Sequence, residues 1–139
     1  MNSTKLSQFP TALVSSARQS QKNAYAPYSK FKVGAAIQAD NGKTYSCCNV
    51  ENAAYPLGQC AEAGAISSMI ADGGKQIRQI VIVGPDNEFC FPCGGCRQKL
   101  AEFSNSDTLV KLVRQDDSMH MMSVAELLPN AFNFKPESD

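Results

Sequence analysis

Two short segments hold the residue types that do metal chemistry: Cys60-Ala61-Glu62 and Pro92-Cys93-Gly94-Gly95-Cys96. A CxxC spacing lets two sulfurs meet one ion, and glycines between them allow the tight backbone this needs. A third sulfur from Cys60 would make three ligands of a tetrahedral zinc and leave the fourth position open. An open position marks a catalytic zinc, whereas structural sites are closed by four protein ligands. Both segments read as helix starts, where free backbone N–H groups and the positive end of the dipole stabilise thiolates. Glu62 follows Cys60 by two residues. It is close enough to reach a water on the metal without being a ligand, and zinc brings the pKa of such a water toward neutrality.

Other arrangements of the same cysteines are open at this point. Cys90, Cys93 and Cys96 form a CxxCxxC run that hints at an iron–sulfur cluster. The bacterial cluster pattern wants a further cysteine followed by proline, where this chain has Leu100 and Ala101. A structural zinc closed by Cys47 or Cys48 is a second alternative, and it leaves Glu62 without a task. His120, the single histidine, lies in Met119-His120-Met121 of a late strand, far in sequence from both segments. It is expected to face solvent or pack, so the metal site reads as all-thiolate. Ser-His-Asp or Cys-His catalysis then has no base.

Composition narrows the setting. A chain of 139 residues suits a single domain over residues 1–139, with 135–139 reading as a loose tail. Hydrophobic residues at 43% and charged residues at 19% are a globular balance. Thirteen basic residues offset thirteen acidic ones, and this lack of a basic excess argues against a nucleic-acid partner. No stretch is long and apolar enough to span a membrane, and Met1 to Phe9 is too polar for a secretory signal. The expected location is cytoplasmic, where six cysteines read as ligands and not as three disulfides.

The elements that must position these residues follow from periodicity. Leu6 to Lys22 carries a helical stripe of Phe9, Leu13, Val14 and Ala17, with Pro10 suited to its first turn. Phe31 to Ala39 and Lys43 to Val50 read as strands joined by the hairpin signal Asn41-Gly42. Helices are expected over Cys60 to Ile70 and Gly94 to Phe103, and strands over Ile80 to Gly84, Thr108 to Arg114 and Met119 to Met122. Ser123-Val124-Ala125-Glu126 has the form of a capping box that opens a last short helix. The order predicts an α/β three-layer sandwich: a mixed five-stranded sheet, helices on both faces, and a hairpin at each edge.

Taken together, these segments resemble the cytidine deaminase family, in its short-chain homotetrameric form with three cysteine ligands per zinc. The resemblance runs from about Tyr25 to Phe132. It covers Tyr25-Ala26-Pro27-Tyr28-Ser29, Phe31-Lys32-Val33-Gly34-Ala35-Ala36, Asn49-Val50-Glu51-Asn52-Ala53, both cysteine segments with Arg97-Gln98, and Leu127-Leu128-Pro129-Asn130-Ala131-Phe132. It implies a cytidine deaminase-like fold and one Zn2+ per subunit on Cys60, Cys93 and Cys96. It also implies pyrimidine salvage, with cytidine and deoxycytidine hydrolysed to uridine and deoxyuridine plus ammonia. Glu62 would carry protons to N3 of cytosine and to the departing ammonia.

The resemblance further implies that Asn49 and Glu51 read the ribose and that Phe31 and Ala61 line the pocket. Phe132 would reach a neighbouring subunit's site, and Tyr55 would lie near the subunit junction. A carboxylate at the ribose suits a free hydroxyl and repels a phosphate, which favours nucleosides over nucleotides. Relatives of this form place arginine directly after the catalytic glutamate, where this chain has Ala63. The negative charge of three thiolates would then fall to helix dipoles, backbone N–H groups and Arg97. Gln59 is also a departure, and Cys47 and Cys90 read as incidental.

Overall fold

Alternation along the central strands decides how the layers form. In the computed structural model, which describes residues 12–134 and the backbone of residues 2–5, strand β4 (Ile77–Val83) is buried on both faces. Ile80 and Ile82 join one core with Ala35, Ile37, Ala61, Ala65, Met69, Leu100, Val110, Leu112 and Leu127. Val81 and Val83 join a second core with Leu13, Val14, Ala17, Ala36, Val113 and Met119. Neighbouring residues of one strand point to opposite faces, so both faces need cover. Helix α1 (Ala12–Lys22) covers the second core. Helices α2 (Ala61–Ala71), α3 (Gly94–Glu102) and α4 (Val124–Leu127) cover the first.

The remaining strands are β1 (Asn2–Lys5), β2 (Gly34–Ala39), β3 (Thr44–Cys48), β5 (Leu109–Val113) and β6 (Ser118–Ser123), and the sheet order is β1-β6-β5-β4-β2-β3. All five expected strands are present in a mixed sheet with helices on both faces. A sixth, β1, adds an edge: Asn2 pairs with Met121 and Lys5 with Ser118. The expected helix start over residues 6–11 and the tail over 135–139 lie outside the described residues.

The local signals act as their chemistry requires. Gly42 takes φ +81 in the β2–β3 turn, a left-handed conformation that suits glycine, while Asn41 Oδ1 accepts from Lys43 N at 3.0 Å. Ser123 and Glu126 form the full capping box of α4. Strand β2 starts at Gly34 and not at Phe31. Val33 N donates to the side chain of Asn49 at 2.9 Å and Val33 O accepts from Asn49 N at 3.3 Å, so a side chain takes one of the two bonds that the ladder would make here.

Strand direction places the site. Strands β3 and β4 both run antiparallel to β2, so they point the same way, and β4 pairs parallel with β5. The carboxyl ends of β3 and β4 therefore open on one side of the sheet, each followed by a loop and then a helix N-terminus. Ligands of α/β sheets collect at such ends. Among the described residues no helix is long and apolar enough to cross a membrane.

Candidate metal centre and catalytic cleft

Cys60 is the N-cap of α2, with φ −77 and ψ 156, and Cys93 is the N-cap of α3, with φ −67 and ψ 168. Cys96 follows within the first turn of α3 and is buried, and its N–H donates to Cys93 Sγ at 3.5 Å. Two helix N-termini thus meet at one cluster of sulfurs, as the sequence suggests.

The three sulfurs lie within 4.8 Å of one another, and Cys60 Sγ is 3.9 Å from Cys93 Sγ. Sulfurs on a tetrahedral zinc at the usual bond length stand roughly 3.8 Å apart, so the spacing fits that ion. No other Cys, His, Asp or Glu among the described residues joins this group. Cys47 and Cys48 are outside it, which removes the closed four-cysteine reading. Cys90 is outside it too, so the CxxCxxC run does not act as a unit. The donor set has three ligands and room for a fourth.

The electrostatics suit thiolate chemistry. Hydrogen bonding from Cys96, then from Cys93, pulls the Cys60 thiol down to about 6 against its burial, with Lys99 adding a smaller pull. Cys96 is pushed up because it keeps the proton it shares with Cys60 and because it is buried. Glu62 is only 4% exposed, and burial raises its carboxyl to about 6. Lys99 opposes that shift, so its field reaches both Cys60 and Glu62.

Of these groups, Cys60, Cys93 and Glu62 line a cleft of about 400 Å3. Cys60, Ala61, Glu62 and Cys93 lie at its base; Ser29, Phe31, Val33, Asn49 and Glu51 make one wall; Cys90 and Phe91 make the other. The wall is braced by its own polar residues. Asn49 Oδ1 accepts from Val33 N at 2.9 Å, and its Nδ2 donates to Phe31 O at 2.8 Å. Glu51 accepts from Tyr28 N at 3.0 Å, from Ser29 N at 3.1 Å and from Ser29 Oγ. These bonds, Ser29 Oγ first, hold Glu51 below the usual carboxylate range.

Several residues sit elsewhere than a single-subunit cleft. Phe132 is 77% exposed and does not line it. Tyr55 is exposed and meets Tyr28 edge to face, with ring centroids 6.5 Å apart. Arg97 donates from Nε to Pro92 O and from a terminal nitrogen to Leu127 O, both at 2.8 Å; its hydrogen bonds go to carbonyls. Ala63 is buried. His120 is buried between Phe89 and Phe91, at 5.6 and 5.9 Å.

Four cleft residues escaped the sequence reading: Ser29, Val33, Cys90 and Phe91. The last two directly precede Pro92-Cys93, and that adjacency was the available signal. Burial pushes the Cys90 thiol up to about 11, which marks it as a packing group of the wall.

Residues 7–112 match the cytidine and deoxycytidylate deaminase zinc-binding region. The chain belongs to the cytidine deaminase family. It is 39% identical to a cytidine deaminase of Sporosarcina psychrophila over 121 residues, covering 87% of this chain and 89% of that one. A cytidine deaminase of Mycoplasma genitalium is 41% identical over 112 residues, or 80% and 85% of the two chains. The crystal structure of a cytidine deaminase from Burkholderia pseudomallei superposes with a TM-score of 0.84 at 40% identity, covering 89% of this chain and 99% of that one. That of the Mycobacterium tuberculosis cytidine deaminase gives 0.76 at 35% identity, covering 88% and 95%. This member of the cytidine deaminase family is a zinc-dependent hydrolytic deaminase, and Cys60, Cys93 and Cys96 are the group able to hold its ion.

Proposed function

We propose that the protein hydrolyses free cytidine and deoxycytidine, adding water at C4 of the base and releasing ammonia to leave uridine or deoxyuridine. One observation carries this reading. The buried carboxyl of Glu62 lines the same cleft as Cys60 and Cys93, together with Asn49 and Glu51. Zinc, when held by Cys60, Cys93 and Cys96, makes water a competent nucleophile near neutral pH. Glu62 would take one proton from the attacking water and hand it to N3, then take the proton of the hydroxyl added at C4 and hand it to the departing amine as the C4=O bond forms. Ala61 shapes the floor and Phe31 flanks the base. Asn49 and Glu51 receive the ribose hydroxyls with the donor and acceptor capacity that their backbone bonds leave free.

Glu51 also sets the substrate class. An ionised carboxylate fixed at the ribose end accepts a hydroxyl and repels a phosphate. The formal net charge of zero suits a small nucleoside better than a polynucleotide. We further propose a homotetramer with sites at the subunit junctions, acting in cytoplasmic pyrimidine salvage. Exposed apolar side chains at Tyr55, Leu57, Phe132 and Phe134 support the assembly, since a solitary soluble chain has little use for them.

The test uses zinc-loaded protein with cytidine, deoxycytidine and deoxycytidylate, following the ultraviolet change as the uracil product forms. The first two are expected to turn over and the third is not. Glu62→Gln that still holds zinc should lose at least about a hundredfold in kcat. No turnover of cytidine by loaded wild type would sink the reading. Equal use of deoxycytidylate would remove the role given to Glu51.

A further inference from the structure

Helix α3 supplies two of the three sulfurs, and the next two side chains along it reach out of the cleft. Arg97 donates to Pro92 O and to Leu127 O, both at 2.8 Å, and Gln98 Nε2 donates to Phe132 O at 3.0 Å. Pro92 directly precedes Cys93, so its carbonyl sets how the chain enters the ligand turn. Leu127 ends α4, and its carbonyl is one of the acceptors a helix leaves without an internal donor. A planar guanidinium can serve two such acceptors in fixed directions, which a lysine ammonium cannot.

We propose that Arg97 is a positioning residue: it joins the turn presenting Cys93 to the C-terminal segment beyond α4, so that both are held as one unit. The proposal rests on Cys93 being a zinc ligand. It differs from charge compensation of the thiolates, which needs a positive charge nearby but no fork. Loss of the fork frees the Pro92 carbonyl, loosens the Cys93 turn and releases residues 128–132 together.

The experiment compares wild type, Arg97→Lys and Arg97→Gln as loaded, full-length proteins. Zinc release to a colorimetric chelator and amide exchange across residues 124–132 are read on each, after circular dichroism shows a folded protein. The tether predicts that both variants release zinc about tenfold faster or more, and that both exchange faster over 124–132. Lysine keeps the charge and does not rescue. A lysine variant that matches wild type in both readouts, with only the glutamine variant impaired, would assign Arg97 to charge and overturn the tether. Faster zinc release with unchanged exchange over 124–132 would overturn it as well. Wild type that holds no zinc would sink the metal reading, while amide exchange still decides the tether.

Discussion

Glu51 is held by three donors at once, from Ser29 Oγ and from the N–H groups of Tyr28 and Ser29. Those donors lower its pKa, so the ionised form that braces the wall is fully present above the ordinary carboxylate range. The brace fades only as pH falls through the lowered value. The Glu51 carboxyl should therefore stay ionised from neutral pH down past the usual carboxylate range in an NMR titration of that side chain, and a Glu51 signal that titrates near neutrality would contradict this. Glu51→Gln keeps an acceptor but loses the charge, and should raise KM on the order of tenfold in steady-state assays. At this scale the chemistry was legible where it is local: Cys60, Glu62, Cys93 and Cys96 are short-range motifs whose spacing states their geometry. The bracing bonds of Asn49 and Glu51 were not legible. Their partners at 28–33 come close only once β2 and β3 have paired, and no local pattern announces that.

Helix α2 packs against β3 through a glycine. A Cβ at Gly64 would collide with Cys47 Sγ and sit 3.0 Å from Cys47 Cβ, so the cysteine read as incidental is the reason for a glycine inside an alanine-rich helix. Gly64→Ala should destabilise by about 1–3 kcal/mol in denaturant titrations, because overpacking outweighs the gain of about 1 kcal/mol in helix propensity. Adding Cys47→Ala removes the sulfur and should recover at least half of the loss. A single variant more stable than wild type would refute the packing argument. Element types were readable where a pattern exists: the apolar run of β4, the Asn41-Gly42 turn and the capping box of α4 each carry a physical signal. Strand β1 reads Asn-Ser-Thr-Lys and has no apolar alternation. Its backbone pairing with β6 is announced by no pattern in those four residues.

At the scale of the molecule, the two helix N-termini meet at the sulfur cluster able to hold the ion. Chelating the zinc should lower the melting temperature, since an ion that binds only the folded form stabilises it. At free zinc a thousandfold above its dissociation constant the effect is about 4 kcal/mol. Phe132 tests the assembly. It is 77% exposed on its own subunit, so Phe132→Ala should leave subunit melting unchanged while raising the KM for cytidine. An unchanged KM would place it outside every cleft. The sheet itself was legible because its order follows from strand and helix alternation, but which exposed aromatics face a partner is a property of two chains. The pairing of β1 with β6 has a consequence for biosynthesis. Asn2 meets Met121, so one edge of the sheet is stitched from residues almost the whole described chain apart. The strand at 2–5 is made before its partner and must wait for 118–121 to leave the ribosome, so that edge closes long after its first strand exists.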